Sequence, residues 1–239
     1  MAGLGTIINV AAIVAGGVAG HFGGKLLKEK HQQSLTMACG ISVMFIAIAG
    51  AMEGMLTVKD TSVISGGAML LTLCLCLGAL VGEVIDFEGL FKRFGVWLRQ
   101  KSGNGGDTSF VDAFLTSSFT VSIGAMAVVG AIEDGLNGDF SILATKSVLD
   151  FVIVMILTCS MGKGSVFSAI PVAIIEGGMT LLSVLLRPLM TEKALLNLSL
   201  TGSVLIFCVG INLVFGKKVK VANMLPALIF AVIAAFLPI

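Results

Sequence analysis

Glu176 stands in the middle of the apolar run PVAIIEGGMTLLSVLL, with no cation nearby along its own helix. A carboxylate in such a run must be protonated, face water or pair across helices, because an isolated charge in hydrocarbon is expensive. Asp150 follows Lys146 by four residues in a second apolar run. That spacing puts both on one helix face, where they form either a structural ion pair or a gate or relay controlled by whether the pair is made.

Other polar groups sit in the apolar runs. Asn9, Asn212 and the series Thr116, Ser117, Ser118, Thr120 and Ser122 either line a path or bond to neighbouring helices. The pair Gly177-Gly178 beside Glu176, and Gly16-Gly17 near the N-terminus, allow close packing or local unwinding that frees carbonyls to coordinate a solute. Gly16, Gly20 and Gly24 form a tandem small-xxx-small ridge. The segments GLGTIIN and GKGSVFS each open a helix with Gly and a hydroxyl residue, which leaves amides free to be capped or to hold an anion. Glu53, Glu133 and Asp134, with Asp139, make an acidic outer mouth that concentrates cations, or else a set of solvated loop charges.

No HExxH or GxSxG occurs, and GKGS lacks the spacing of a phosphate-binding P-loop. The two histidines, His21 and His31, lie at or beyond the end of the first helix. Cys39, Cys74, Cys76, Cys159 and Cys208 all fall inside apolar stretches and read as buried thiols. The chain is therefore expected to be no enzyme, with no catalytic residues, no cofactor, no metal site and no nucleic-acid partner.

These residues need a membrane to hold them. Of 239 residues, 56% are hydrophobic and 12% charged, with a mean hydropathy of +1.06. Soluble domains carry about 25% charged residues, so the apolar excess belongs in lipid. The fold class is all-α, a polytopic transmembrane bundle of about eight spans: 3–26, 35–57, 62–85, 108–132, 141–161, 164–189, 194–215 and 220–238. Residues 1–85 make a first transmembrane triplet, 108–161 a middle pair and 162–239 a last triplet, all in a single membrane domain. The first run is too long for a signal peptide and lacks its basic start, so it reads as a retained helix.

Between the third and fourth spans, residues 86–107 are too charged to cross. Phe87, Leu90, Phe91, Phe94 and Leu98 recur at helical spacing, with Asp86, Glu88, Lys92, Arg93 and Arg99 elsewhere and the lone Trp97 suited to an interface. This is an amphipathic surface helix followed by a Gly-rich joint, Gly103 to Gly106. Eight spans place 11 of the 15 Lys and Arg on one side, leaving Lys59, Lys146, Arg187 and Lys193 on the other. The positive-inside rule then puts the amphipathic helix in the cytoplasm and both termini outside.

An internal repeat is visible. Gly50-Ala51-Met52-Glu53 reappears as Gly130-Ala131-Ile132-Glu133, 80 residues on, and Ser42/Ser122, Leu56/Leu136 and Gly82/Gly162 keep that offset. Gly3, Gly5, Thr6 and Asn9 align with Gly162, Gly164, Ser165 and Ser168, and Gly16-Gly17 with Gly177-Gly178. These matches suggest three copies of a three-helix unit whose middle copy has lost its first span to the surface segment. The first and sixth spans are then antiparallel, and the terminal triplets form an inverted repeat, as in many transporters.

GLGTIINVAAIVAGGVAG, GAIEDG (Gly130 to Gly135), Lys146-Ser147 with Asp150, Gly162-Lys163-Gly164 and Asn223-Met224-Leu225-Pro226 together resemble the DUF554 family over essentially the whole chain. The resemblance implies a bacterial inner (plasma) membrane protein, of a family labelled as candidate transport proteins, and brings no substrate or catalytic residues. The expected function is a membrane transporter or channel for a small solute or ion, cation favoured. Its path lies at the interface of the inverted repeats and is lined by Glu176, Asp150, Lys146, Asn9 and Asn212. The alternative is a non-transporting assembly or regulatory protein that docks lipid or protein through helix 83–101. Homo-oligomerisation through the Gly ridge fits either.

Overall fold

A computed structural model of the chain describes residues 2–59, 62–123 and 125–237. The helices are α1 (Leu4–Gly24), α2 (Glu29–Met55), α3 (Ala68–Ile85), α4 (Phe87–Lys101), α5 (Phe110–Ser122), α6 (Ala125–Asn137), α7 (Ser141–Met161), α8 (Ala169–Leu181), α9 (Ser183–Leu186), α10 (Glu192–Phe215), α11 (Val221–Met224) and α12 (Pro226–Ala234). Short 3-10 turns at Lys163–Ser168 and Arg187–Leu189 precede α8 and follow α9. The result is a multi-spanning helix bundle. Large apolar side chains point outward all round it, among them Phe22, Phe45, Leu80, Ile174 and Leu181, an exterior suited to lipid and not to water.

The expectation of about eight spans is met in part. Among the described residues, six helical segments, of 18 to 27 residues, are long and apolar enough to cross a membrane, and a seventh crossing results if α5 and α6, bent by 62°, count as one. The run read as one helix over 108–132 is this bent pair, with its Gly124 outside the described residues. The run 164–189 breaks into a 3-10 turn, α8, α9 and a second turn. The run 220–238 breaks where Pro226, lacking an amide hydrogen, starts α12, and its final residues 238–239 lie outside the described residues. The helix read over 35–57 starts earlier, at Glu29, and stops at Met55. Leu56–Lys59 and Ser62–Ser65 then pair as a small antiparallel hairpin, in keeping with β-branched Thr57, Val58, Val63 and Ile64. The Lys59 side chain lies outside the described residues.

Small residues set the helix contacts. A Cβ on Gly16 or Gly20 would run into the carbonyl oxygens of Phe151 and Met155, and one on Gly24 would lie 2.8 Å from that of Cys159, so α1 lies parallel against the backbone of α7. The Gly ridge is thus covered by the chain itself and is no surface for self-association. α2 runs antiparallel to α10, with Gly40 at Leu213 and Gly54 at Leu200. α3 runs antiparallel to α11 and α12, with Gly82 at Asn223 and Gly78 at Ala227. α1 is also antiparallel to α8 and the 3-10 turn before it, as its contacts Thr6 to Thr180, Asn9 to Glu176 and Gly17 to Val166 show.

The turn from α3 into α4 is made by Asp86, which adopts φ 56°, a left-handed conformation that Asp tolerates, and accepts a hydrogen bond from the Gly89 amide at 3.1 Å. Phe91 and Phe94 of α4 pack on Phe119 and Phe114 of α5, with ring centroids 5.2 and 5.9 Å apart. Leu90 and Trp97 stay exposed.

Candidate functional site

Asn9 on α1, Lys146 and Asp150 on α7, and Glu176 on α8 meet in the interior, 0%, 6%, 4% and 1% exposed. The close parallel seating of α1 on α7, and the antiparallel crossing of α8 on α1, bring three separate apolar runs to this point. The Asn9 amide nitrogen donates to both Glu176 oxygens, at 2.9 and 3.1 Å. Lys146 Nζ makes a close ion pair with Asp150, lies 3.3 Å from Glu176 Oε1, and donates to the Val121 carbonyl at 2.7 Å. Lys146 therefore does not belong with the outer-side charges, where its place near a helix start put it; the ammonium is drawn inward by the two carboxylates.

A cavity walled mainly by apolar side chains reaches this cluster. About 250 Å³ of space between α2, α5, α6, α7 and α10 is lined by Lys146 and Asp150, with Glu53, Thr120, Ser199 and Ser203 on its other walls. Glu53 is exposed and marks the cavity's end nearest the hairpin, while much of the remaining wall is apolar and includes the outward-facing Ile46, Met126 and Leu149. A second cavity, about 260 Å³, lies toward the opposite end and is lined by Glu88, Asp112, Thr116, Phe119, Asn212 and Lys217 among others. The two share walls on α5 and α10, where Thr116 and Val209 line the second, Thr120 and Ile206 the first. In the intervening turn Phe119, Ile123, Leu205 and Val209 belong to one packed apolar cluster. A third cavity of about 260 Å³, beside Phe119, Met179 and Leu228, is walled mainly by apolar side chains and lies away from the charges.

The remaining sequence-selected residues lie elsewhere. Asn212 is not in the cluster; it ties the loop after α10, accepting from the Lys218 and Val219 amides at 2.8 and 2.9 Å and donating to the Val219 carbonyl. Asp134 is no mouth residue: it is fully buried and accepts the Gly5 amide at 2.9 Å. A carboxylate thus occupies the anion position at the N-terminus of α1, where Gly3 supplies the left-handed turn at φ 89°. Glu133 is half-buried and bonded to Asn137, and Asp139 accepts from the amide and hydroxyl of Ser141 just before α7. Gly16, Gly17, Gly177 and Gly178 all sit in unbroken helix, so neither pair is unwound. Gly17 faces Val166, and Gly178 has open space beside it.

One network was missed by sequence reasoning. Glu88, which had been placed on a solvated face, is buried and paired with Lys92 at 3.0 Å and with Lys217. Its amide donates to Asn223 Oδ1 at 2.8 Å, while Asn223 Nδ2 and Lys220 Nζ both reach Glu83 at 2.6 Å. Burial pushes the Glu88 carboxyl up, but the hydrogen bonds from Lys217 and Lys92 outweigh it and hold it below its ordinary value. Six side chains thereby fasten the start of α4 to the α10–α11 loop. The Asn223-to-Pro226 motif was the available signal.

The profile of a family described as "Protein of unknown function (DUF554)" matches residues 4–236. The chain belongs to the DUF554 family. Among its relatives, the Escherichia coli (strain K12) protein named "Uncharacterized protein YqgA" is 30% identical over 233 residues, covering 95% of this chain and 94% of its own. The Bacillus subtilis (strain 168) protein named "Uncharacterized membrane protein YdfK" is 24% identical over 232 residues, covering 97% and 95%. No solved structure matches the chain. Membership of DUF554, with relatives in two bacteria and a bundle of this kind, makes this a multi-pass membrane protein consistent with a bacterial membrane.

Proposed function

We propose that this DUF554 protein is a transporter or channel for a small solute or ion, with cations favoured, in the bacterial inner membrane. The observation that carries the reading is the cavity that ends on the buried Lys146–Asp150 pair. Glu53, Ser199, Ser203 and Thr120 give this otherwise apolar approach a polar side, which a path for a small cation needs and a purely structural ion pair does not. Two acids against one ammonium favour positive charge at its end. The route continues past Phe119 and Leu205 to the Glu88 cavity, where the Glu88–Lys217 pair closes the far mouth. The reading includes no catalytic step.

An inverted repeat of the terminal triplets is part of the proposal. It is supported by helix direction: α1, α2 and α3 each pack antiparallel against α8, α10 and the α11–α12 pair, their counterparts in the last triplet. α12 follows α3 from Gly78 past Cys74 toward Leu70, which supports counting the α11–α12 pair as a final crossing. Both termini then lie outside, and α4 with its Lys and Arg lies at the cytoplasmic surface.

The test is flux in proteoliposomes. Movement of Na⁺, Rb⁺ and protons is measured with the native chain and with Asp150→Asn. The native protein is expected to pass at least one of them well above protein-free vesicles, and the variant to slow it tenfold or more. Flux of that ion unchanged by Asp150→Asn, or no flux of any of the three, overturns the reading.

A further inference from the structure

The buried cluster does not balance its own charge. Lys146 supplies one positive charge, while Asp150 and Glu176 supply two negative ones when ionised. A net charge sealed at this depth costs several kcal/mol, so one more positive charge is required. The two acids are not equivalent. The ammonium lies tight against Asp150, and is 3.3 Å from Glu176 Oε1. Lys146 therefore pairs with Asp150, and Glu176 is the acid left without a full counter-charge.

Asn9 supplies the second observation. Its side chain is fully buried and its Nδ2 donates to Glu176, yet its Oδ1 has no hydrogen-bond partner. A half-turn of that amide presents the oxygen to Glu176 as an acceptor in place of the donor. An ionised carboxylate uses the first orientation and a protonated acid uses the second. An amide with one spare acceptor beside a carboxylate can hold either state.

We propose that Asn9, Lys146, Asp150 and Glu176 form a single-proton binding site, in which Glu176 carries an exchangeable proton and Asp150 is the relay between it and the Glu53 cavity. The charged groups facing Glu176 are Lys146 and Asp150 on α7. From α1 it faces Asn9, with the Thr6–Thr180 hydroxyl contact of 3.4 Å one turn away. From α5, the Val121 carbonyl holds the ammonium in place. On release, the O–H bond of Glu176 breaks and the proton passes through Asp150 to a water molecule in the cavity, leaving a hydronium ion there and a cluster of net charge −1. The cavity touches Asp150 and not Glu176, which is why the exchange is assigned to Asp150. The site stands on this geometry; its use as a coupling site rests on the transport reading.

Infrared difference spectroscopy of the protein in lipid, in sodium-free buffer near neutral pH, tests the site. Native minus Glu176→Gln is expected to show the C=O stretch of one protonated carboxylic acid, shifted in heavy water. Lys146→Met minus native should show a second such band, because both acids must then be neutral. Glu176→Gln keeps the shape of the protonated acid and the Asn9 contact, so its fold is expected to survive, and Asp150→Asn gives an independent variant that should also abolish the band. Only ionised-carboxylate bands in the native-minus-Gln spectrum, or no gain in Lys146→Met, overturns the proposal. The spectra measure no flux, so either result leaves the transport test to be decided on its own.

Discussion

Asn9 Nδ2 lies 2.9 and 3.1 Å from the two carboxylate oxygens of Glu176, joining α1 to α8 across 167 residues of sequence. Removing the donor strands a buried acid. Asn9→Leu is expected to lower stability by about 1–3 kcal/mol, the cost of an unsatisfied buried polar group. Thermal unfolding in detergent should register this as a drop of several degrees, and Asn9→Leu with Glu176→Met should recover most of it.

Lys146→Met removes the one cation from two buried acids, so that Asp150 as well as Glu176 must be neutral. A broken buried pair costs about 3–5 kcal/mol, whereas replacing every charged partner with apolar side chains is often neutral. The single variant should therefore unfold well below the native chain. The triple variant Lys146→Met, Asp150→Leu, Glu176→Met should approach the native midpoint while losing flux.

The visibility of this cluster in the sequence has a physical basis. An ionisable side chain in an apolar run is costly, so Glu176, Asp150 and Lys146 announced themselves by type and place alone, and Asn9 by its position in the repeat. Asn212 carried the same polarity but faces a loop, because residue type does not encode direction. The breaks at Leu182 and before Pro226 were hidden, since both flanks stay apolar through them. The hairpin was hidden for a related reason: Leu-Thr-Val and Val-Ile read as helix ends in any hydropathy pattern. Glu88 was taken for a surface charge because its partners Lys217 and Asn223 lie more than a hundred residues away.

Gly20 and Gly178 should respond oppositely to a methyl group. A Cβ at Gly20 collides with the Met155 carbonyl, a backbone atom that cannot move aside, whereas nothing lies within 4 Å of one at Gly178. Gly20→Ala is expected to lower the yield of folded protein and its thermal midpoint. Gly178→Ala should be neutral or gain up to about 1 kcal/mol from helix propensity.

The α4 lock should open in acid. The Glu88 carboxyl is held below its ordinary value of 4.5 in the folded chain. A lowered value means that its stabilisation is complete above the ordinary value and is lost as pH falls through the lowered one. Hydrogen exchange over residues 87–101 should stay slow from neutral pH down to about pH 5 and speed up below about pH 4, after correction for the intrinsic rate. Glu88→Gln should show the faster exchange already at pH 7. Exchange that is indifferent to both changes would show that the pairs do not hold α4.

The proposed path brings water and small cations to the Lys146–Asp150 pair from the Glu53 end of the bundle. Ser203 lines that cavity, whereas Ile174 on α8 faces outward toward lipid. In a background with the five native cysteines replaced by Ala, Ser203→Cys and Ile174→Cys are exposed to a small cationic thiosulfonate that cannot cross the membrane. Ser203→Cys is expected to react from the Glu53 side only, at least tenfold faster than Ile174→Cys, and more slowly when Glu53→Lys is added. A Ser203→Cys thiol that reacts no faster than Ile174→Cys from either side would mean that solvent does not reach the pair through this cavity.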